Sequence, residues 1–215
     1  MKKVTALVMG LTAVFALTAC NNKGTEVKAE DFQKKAAAVE EHQYSEATIK
    51  WSYYSEISSP DFTALMAGKT DAENKVTKED DKGETKVTFS NGEWTTSDKN
   101  ENALMFVTLL QGNLKDINLS EYTSGLSAQA DHLGVKSEVK YYTNPLGIEI
   151  NANGTYADAE TGTGSLKMSA YVAFDKYGYV TKVEETVKSS GTAKYGEVSY
   201  SSSMDIKLSA TVSYK

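Results

Sequence analysis

Apolar and polar side chains alternate with a period of two through most of this chain. Over residues 45–57 the odd positions carry Ala47, Ile49, Trp51, Tyr53 and Ile57, while the even ones are mostly Glu46, Thr48, Lys50, Ser52 and Glu56. This pattern predicts a strand with one face buried and one face wet. Residues 86–90 and 93–97 flank Asn91-Gly92, a pair that takes the positive φ angles of a two-residue hairpin turn. That turn sets Phe89 opposite Trp94 on one side of a sheet. Residues 76–78 add a short strand before a turn at Asp80-Asp81-Lys82-Gly83, and residues 58–72 read as an irregular or partly helical excursion. Past residue 134 everything alternates. Val135, Val139 and Tyr141 lead into a turn at Asn144-Pro145-Leu146-Gly147, followed by Ile148, Ile150 and Ala152. Leu166, Met168, Ala170, Val172 and Phe174 form the next inward set, and residues 179–187 return after Asp175-Lys176-Tyr177-Gly178. The last run places Val198, Tyr200, Met204, Ile206, Leu208, Ala210, Val212 and Tyr214 on even positions.

Three segments carry the helical period instead. Residues 29–43 hold Phe32, Ala36 and Val39 on one stripe, with Glu30 and Asp31 in the first turn, where the helix dipole favours anions. Residues 102–117 carry Ala103, Phe106, Val107, Leu110, Leu114 and Ile117, widened by Leu104, Met105 and Leu109, so this helix is expected to be well buried. A further helix runs from a Ser120 cap through Tyr122, Leu126, Ala130 and Leu133 to a stop at Gly134.

The expected architecture is α+β. A polar face on every strand implies one antiparallel sheet, wet on one side. The final run of 17 residues would span roughly 56 Å at about 3.3 Å per residue, against a diameter of about 42 Å for a compact domain of this size. It is expected to bend, or to break at a bulge near Ser202 or Ser209. The reading is a strongly curved sheet, a half-open barrel, with two to three helices packed on its concave face. The cavity between them would be lined by Ile49, Trp51, Tyr53, Phe106, Leu110, Leu126, Met168, Val172, Met204, Ile206 and Leu208. Tyr54 and Tyr142 fall on the wetter faces, where they are candidates for partner contact or sugar stacking.

The first residues follow neither period. Lys2 and Lys3 precede a charge-free, mostly apolar run over residues 4–19, too short for a membrane span and suited to a signal peptide. It ends Leu17-Thr18-Ala19-Cys20, which resembles the lipobox of bacterial lipoproteins. The resemblance implies cleavage between Ala19 and Cys20 and a diacylglyceryl group on the Cys20 sulfur. Such an anchor exceeds the one-chain threshold for stable membrane attachment. The protein is then expected on the extracytoplasmic face of the cell membrane, with residues 20–28 as a tether and 29–215 as a single domain. Asn21 is not the aspartate that would retain a lipoprotein at an inner membrane.

Composition narrows the function classes. The net charge is −6 over 215 residues, with 23 lysines and no arginine. Losing the leader removes two of those lysines and makes the balance more acidic. A nucleic-acid partner is thereby excluded, because such proteins need a basic face. One cysteine rules out a disulfide framework or a Cys-rich zinc site, and two histidines leave little for metal or triad chemistry. No cofactor is called for. Ser137-Glu138-Val139-Lys140 matches Ser-x-x-Lys, but it lies in an alternating strand rather than at a helix start. Asp98-x-Asn100-x-Asn102 opens like a calcium loop and then fails, with Ala103 at the sixth position and Leu109 at the twelfth. Helix capping explains Asp98 and Asn100 better. His42 and His132 read as structural or solvated residues, and Glu79-Asp80-Asp81 as a solvated charge run.

The element order over residues 29–215 resembles the LolA/LolB-like fold and is similar to the LppX/LprG group of envelope lipoproteins. The hairpin Ala173-Phe174-Asp175-Lys176-Tyr177-Gly178-Tyr179-Val180 carries part of that likeness. The resemblance implies a half-open antiparallel barrel that holds lipid or lipoprotein acyl chains. The expected function is therefore a non-enzymatic, membrane-anchored protein that shelters a lipid or other hydrophobic ligand. The alternative is a surface lipoprotein acting by protein contact, as an adhesin, scaffold or envelope sensor whose partner the sequence does not name. An enzyme with an unrecognised site and a carbohydrate binder remain as lesser readings.

Overall fold

A computed structural model describes residues 23–61, 73–117, 135–158, 162–195 and 198–215. In chain order these form β1 (Thr25–Val27), α1 (Ala29–Ala37), β2 (Glu46–Pro60), β3 (Asn74–Ser90), β4 (Glu93–Thr95) and α2 (Glu101–Thr108). A 3-10 turn (Leu114–Asp116) is followed by β5 (Lys136–Thr143), β6 (Leu146–Asp158), β7 (Gly162–Phe174), β8 (Val180–Tyr195) and β9 (Val198–Tyr214). All nine strands join one antiparallel sheet in the order β1-β5-β6-β7-β8-β9-β2-β3-β4. The sheet is open, with β1 and β4 at its edges.

Parity decides which face is dry. Ala47, Ile49 and Trp51 on β2 share a face with Ile206, Ala210 and Val212 on β9, Val183 and Val187 on β8, Met168 and Ala170 on β7, and Ile148, Ile150 and Ala152 on β6, all buried. Both helices pack on this face. Phe32 of α1 meets Tyr141 of β5 with ring centroids 5.2 Å apart, and Phe106 of α2 stacks on Trp51 at 5.8 Å. The other face carries cross-strand polar rows. One of them runs Thr155, Ser165, Ser190, Ser203, Ser58 across five neighbouring strands.

The Asn91-Gly92 hairpin forms as expected, with Phe89 and Trp94 in edge-to-face contact at 5.3 Å. Asn100 caps α2, accepting from the Asn102 and Ala103 backbone N–H groups at 2.8 and 3.1 Å.

Several expectations are corrected. There is no turn at residues 80–83: β3 runs straight through them, each paired to β2. Tertiary pairing overrides local turn chemistry there, because Gly83 sits opposite Trp51 and leaves room for the indole. A Cβ on Gly83 would lie 2.7 Å from Trp51 Cζ2. Gly83→Ala is expected to lower stability by about 1–3 kcal/mol through overpacking, read as a lower urea midpoint at unchanged m-value. The helix expected over 29–43 ends at Ala37, because the following residues turn back to bring Tyr44 onto Tyr214, whose rings stack at 4.6 Å. The helix expected over 102–117 stops at Thr108. Gln111 leaves the helix to bond both backbone groups of Trp94 through its side chain, and the Leu114 N–H bonds Gly178 O at 2.8 Å. Strand β9 has no bulge near Ser202 or Ser209: it pairs β8 and β2 in unbroken register, which satisfies its backbone on both sides. The register shift lies at Ala173/Phe174 on β7. Among the described residues there are two α-helices, while the helix expected from Ser120, with Leu126 and His132, lies outside them, as do residues 62–72.

Residues 23–27, read from sequence as tether, enter the fold. Thr25–Val27 pairs with Thr143, Tyr142 and Tyr141 of β5.

Candidate functional site on the apolar face of the sheet

The strand residues expected to line a cavity fall on one face in adjacent register rows. Tyr53 on β2 lies beside Leu208 on β9, which lies beside Glu185 on β8 and then Ala170 on β7. The next row is Ser55, Ile206, Val187, Met168, and the one beyond it Ile57, Met204, Ser189, Leu166. On the other side, Trp51 and Ala210 continue through Val183 to Val172 and Ile148. Ile49, Trp51, Phe106, Leu110, Met168 and Ile206 are buried, whereas Tyr53, Val172, Met204 and Leu208 are half-buried. Leu126, Ala19 and Cys20 lie outside the described residues.

Burial thins towards the far end of the long strands, where Ile57 is exposed and the inward positions become Gly164, Gly191 and Ser202. The main contacts of α1 are with β5 and the 3-10 turn, and those of α2 with β2, β3 and β4. Each helix thus covers a flank of the sheet rather than its middle strands.

One inward acid is buried in the middle of the apolar set. Glu185 is 3 % exposed, between Val183 and Val187 along β8 and between Ala170 and Leu208 across the sheet. Its Oε1 has no hydrogen-bond partner, and no lysine reaches it among the described residues. Glu184 and Asp205 also hold one unpartnered buried oxygen each, but their second oxygens pair with Lys182 at 2.7 Å and Lys188 at 2.9 Å. Burial alone pushes the Glu185 carboxyl up to about 9, so at neutral pH it is an uncharged acid and an O–H donor. An orphaned buried polar group costs about 1–3 kcal/mol. The signal was present in the sequence, because parity between Val183 and Val187 places residue 185 inside; an acid at that position breaks the alternation.

Trp51 anchors the flank under α2. Its Nε1–H donates to Thr85 Oγ1 at 3.0 Å, and Thr85 donates to Asp98 Oδ2 at 2.7 Å. The Asp98 carboxyl is held below its usual range by the Asn100 backbone N–H and the Thr85 hydroxyl. Asp98 and Asn100 therefore serve the helix cap and the Trp51 chain, and among the described residues no group of three or more acids, histidines and cysteines is placed to hold a metal.

Two features had no local sequence signal. An aromatic cluster gathers at one end of the sheet: His42 stacks on Tyr177 at 4.3 Å, Tyr44 stacks on Tyr214 at 4.6 Å, and Tyr179 meets Tyr44 at 5.2 Å. The Tyr44 hydroxyl donates to Asp175 at 2.8 Å, and burial together with that carboxylate raises its pKa. The second feature lies on the polar face, where Lys23 reaches Glu149 at 2.6 Å, the Tyr142 hydroxyl donates to Glu149, and the Lys23 ammonium sits 5.8 Å above the Tyr171 ring. Tyr142, expected to be wet, is buried there. Tyr54 keeps its wetter position, bonded to Glu56 at 2.7 Å with Lys207 over its ring.

A cleft of about 710 Å³ opens on the polar face, lined chiefly by serines, threonines and glycines of β6 to β9. Its hydroxyls largely satisfy one another, as in Thr163 with Thr192 at 2.9 Å and Ser165 with Ser190 at 3.0 Å. Among the described residues it holds no charged side chain and no buried, unpartnered polar atom, so the apolar face with Glu185 is the stronger candidate. Compared with known proteins, the chain matches no family model, no curated protein and no solved structure.

Proposed function

We propose that the protein is an exported lipoprotein, anchored through diacylglyceryl-Cys20 on the extracytoplasmic face of the cell membrane, that binds a lipid or other hydrophobic ligand without catalysing a reaction. In this reading the sheet curls into a half-open barrel and the ligand lies along its concave, apolar face. The observation that carries it is the middle of that face. Tyr53, Val172, Met204 and Leu208 are only half-buried there, while the two described helices pack on the flanks. These four partly exposed apolar side chains border the buried Met168, Ala170, Val183, Val187, Ile206 and Ala210, and together they offer an apolar ligand a continuous surface. Support for the anchor comes from Lys2, Lys3, the apolar run and Leu17-Thr18-Ala19-Cys20.

Native mass spectrometry of the exported protein, followed by solvent extraction, tests the ligand. About one non-covalent lipid per chain is expected, in addition to acyl chains that survive extraction on Cys20. A ligand-free chain would overturn the binding reading. Labelling with an alkyne fatty acid that Cys20→Ala fails to abolish would overturn the anchor.

The rival reading, contact with another envelope protein, draws on the half-exposed rings of Tyr44, Tyr177, Tyr179 and Tyr214 beside exposed His42. Tyr and Trp clusters of this kind recur at protein interfaces. Crosslinking from position 177 on cells separates the two: a specific protein neighbour and no extracted lipid would favour contact.

A further inference from the structure

Glu185 poses a question that packing does not answer. It occupies the centre of an apolar row, with Ile150 and Ala170 to one side and Leu208 and Tyr53 to the other. The next residue in the row, Asp81 on β3, is already engaged by the side chains of Asn100 and Asn102. Among the described residues nothing cationic adjoins Glu185, and Val183 and Val187 close it in along its own strand. A valine there would continue the alternation with no unmet polar atom.

We infer that Glu185 is the polar recognition point of the ligand site, donating its O–H to the carbonyl oxygen of an acyl lipid that lies along the apolar face. This rests on the hydrophobic-ligand reading and narrows it to acyl compounds. Because the carboxyl stays protonated well above neutrality, it offers a donor, and a carbonyl oxygen needs only one. An alkylammonium ligand fits poorly, since its three N–H donors would meet one carboxyl and a ring of Val183, Val187, Ala170 and Leu208. A hydrocarbon without polar atoms would leave Glu185 as unmet as before.

The test uses the full mature chain made without its leader and carrying Cys20→Ser, so that no detergent competes. Three fluorescence titrations are compared: cis-parinaric acid, its methyl ester, and diphenylhexatriene, which has no hydrogen-bonding group. Glu185→Leu is expected to weaken parinarate binding about ten-fold or more, the value of one buried hydrogen bond. Glu185→Gln, which keeps an N–H donor, is expected to stay within about three-fold of the parent. Diphenylhexatriene should bind all three proteins alike, and Tm should not fall in Glu185→Leu. Equal affinity of acid and ester would assign an esterified acyl group as an acceptable source, and preference for the acid would assign a free fatty acid. Unchanged parinarate binding in Glu185→Leu would overturn the inference while leaving the hydrophobic site standing. Stronger displacement by dodecylamine than by dodecanoic acid would also overturn it. Failure of every probe on the parent chain would instead remove the reading on which the inference rests.

Discussion

Trp51→Ala is expected to remove about 3–5 kcal/mol of stability, the range for deleting a large aromatic from a core. Domains of this size hold only about 5–15 kcal/mol in total, so the variant should approach unfolding at ordinary temperature. Three separate supports meet at this ring. The indole is 6 % exposed and stacks on Phe106, which fixes α2 against β2. It fills the space that Gly83 leaves open on β3. Its N–H is the first link of the Thr85–Asp98 chain leading to the α2 cap. Alanine would empty the space above Gly83 and leave Phe106 facing a void. Trp51→Phe separates the contributions, since it keeps most of the packing and loses only the N–H; a cost near 1 kcal/mol is expected for that bond. Urea unfolding followed by far-UV circular dichroism checks both. If Trp51→Ala cost less than about 1 kcal/mol, the flank would not depend on this ring.

The sheet was legible because parity cannot be disguised. Once Ile49 and Trp51 point inward, Tyr53 must follow, and the same rule carries Met168, Ile206 and Leu208 to one face. Helix ends were not legible. Leu109, Leu110, Leu114 and Ile117 keep the helical spacing across the stop at Gly112-Asn113, and the helix ends ahead of that pair because Gln111 and Leu114 bond to backbone groups of Trp94 and Gly178 far away in the chain. Residues 80–83 show the reverse failure. Asp80-Asp81-Lys82-Gly83 has turn composition, yet a strand next to the short edge strand β4 tolerates charges in water and needs a glycine over Trp51. Of the candidate site, the shared face of Ile49, Trp51, Met168 and Ile206 was readable, and parity also places Glu185 on it. The aromatic cluster was not, because Tyr44, Tyr177 and Tyr214 come together only once β9 lies between β8 and β2.

Lys23→Met is expected to cost about 3 kcal/mol, the low end of the range for breaking a buried ion pair, because the Lys23 side chain keeps 25 % of its surface in water while Glu149 keeps 8 %. The methionine would leave the carboxylate buried with hydroxyl and amide partners only. Removing both charges should therefore cost less than removing one, so that Lys23→Met/Glu149→Gln is more stable than Lys23→Met. The pH dependence carries a sign. Burial raises the Glu149 pKa, but bonds from Lys23, Tyr142 and Asn151 outweigh it and hold the carboxyl below its usual 4.5. A depressed folded-state value stabilises the protein above pH 4.5, and that contribution is lost as pH falls through the folded pKa. Glu185 slopes the other way: its value is raised, so its contribution is complete below pH 4.5 and is lost as pH climbs towards about 9. Stability should thus fall at both ends, with Glu149→Gln flattening the acid limb and Glu185→Leu the alkaline one, measured as Tm from pH 3 to 10. The acid limb also bears on the anchor. Lys23 is three residues after Cys20, so the proposed acyl group attaches within about 11 Å of the latch at full extension. With Lys23 fastened and β1 paired to β5, an anchor at Cys20 would leave a leash too short for the body to swing freely. In Lys23→Met, protease cleavage between residue 20 and β1 should become faster at neutral pH. Unchanged cleavage alongside the lost stability would mean that the latch supports the sheet without positioning it on the membrane.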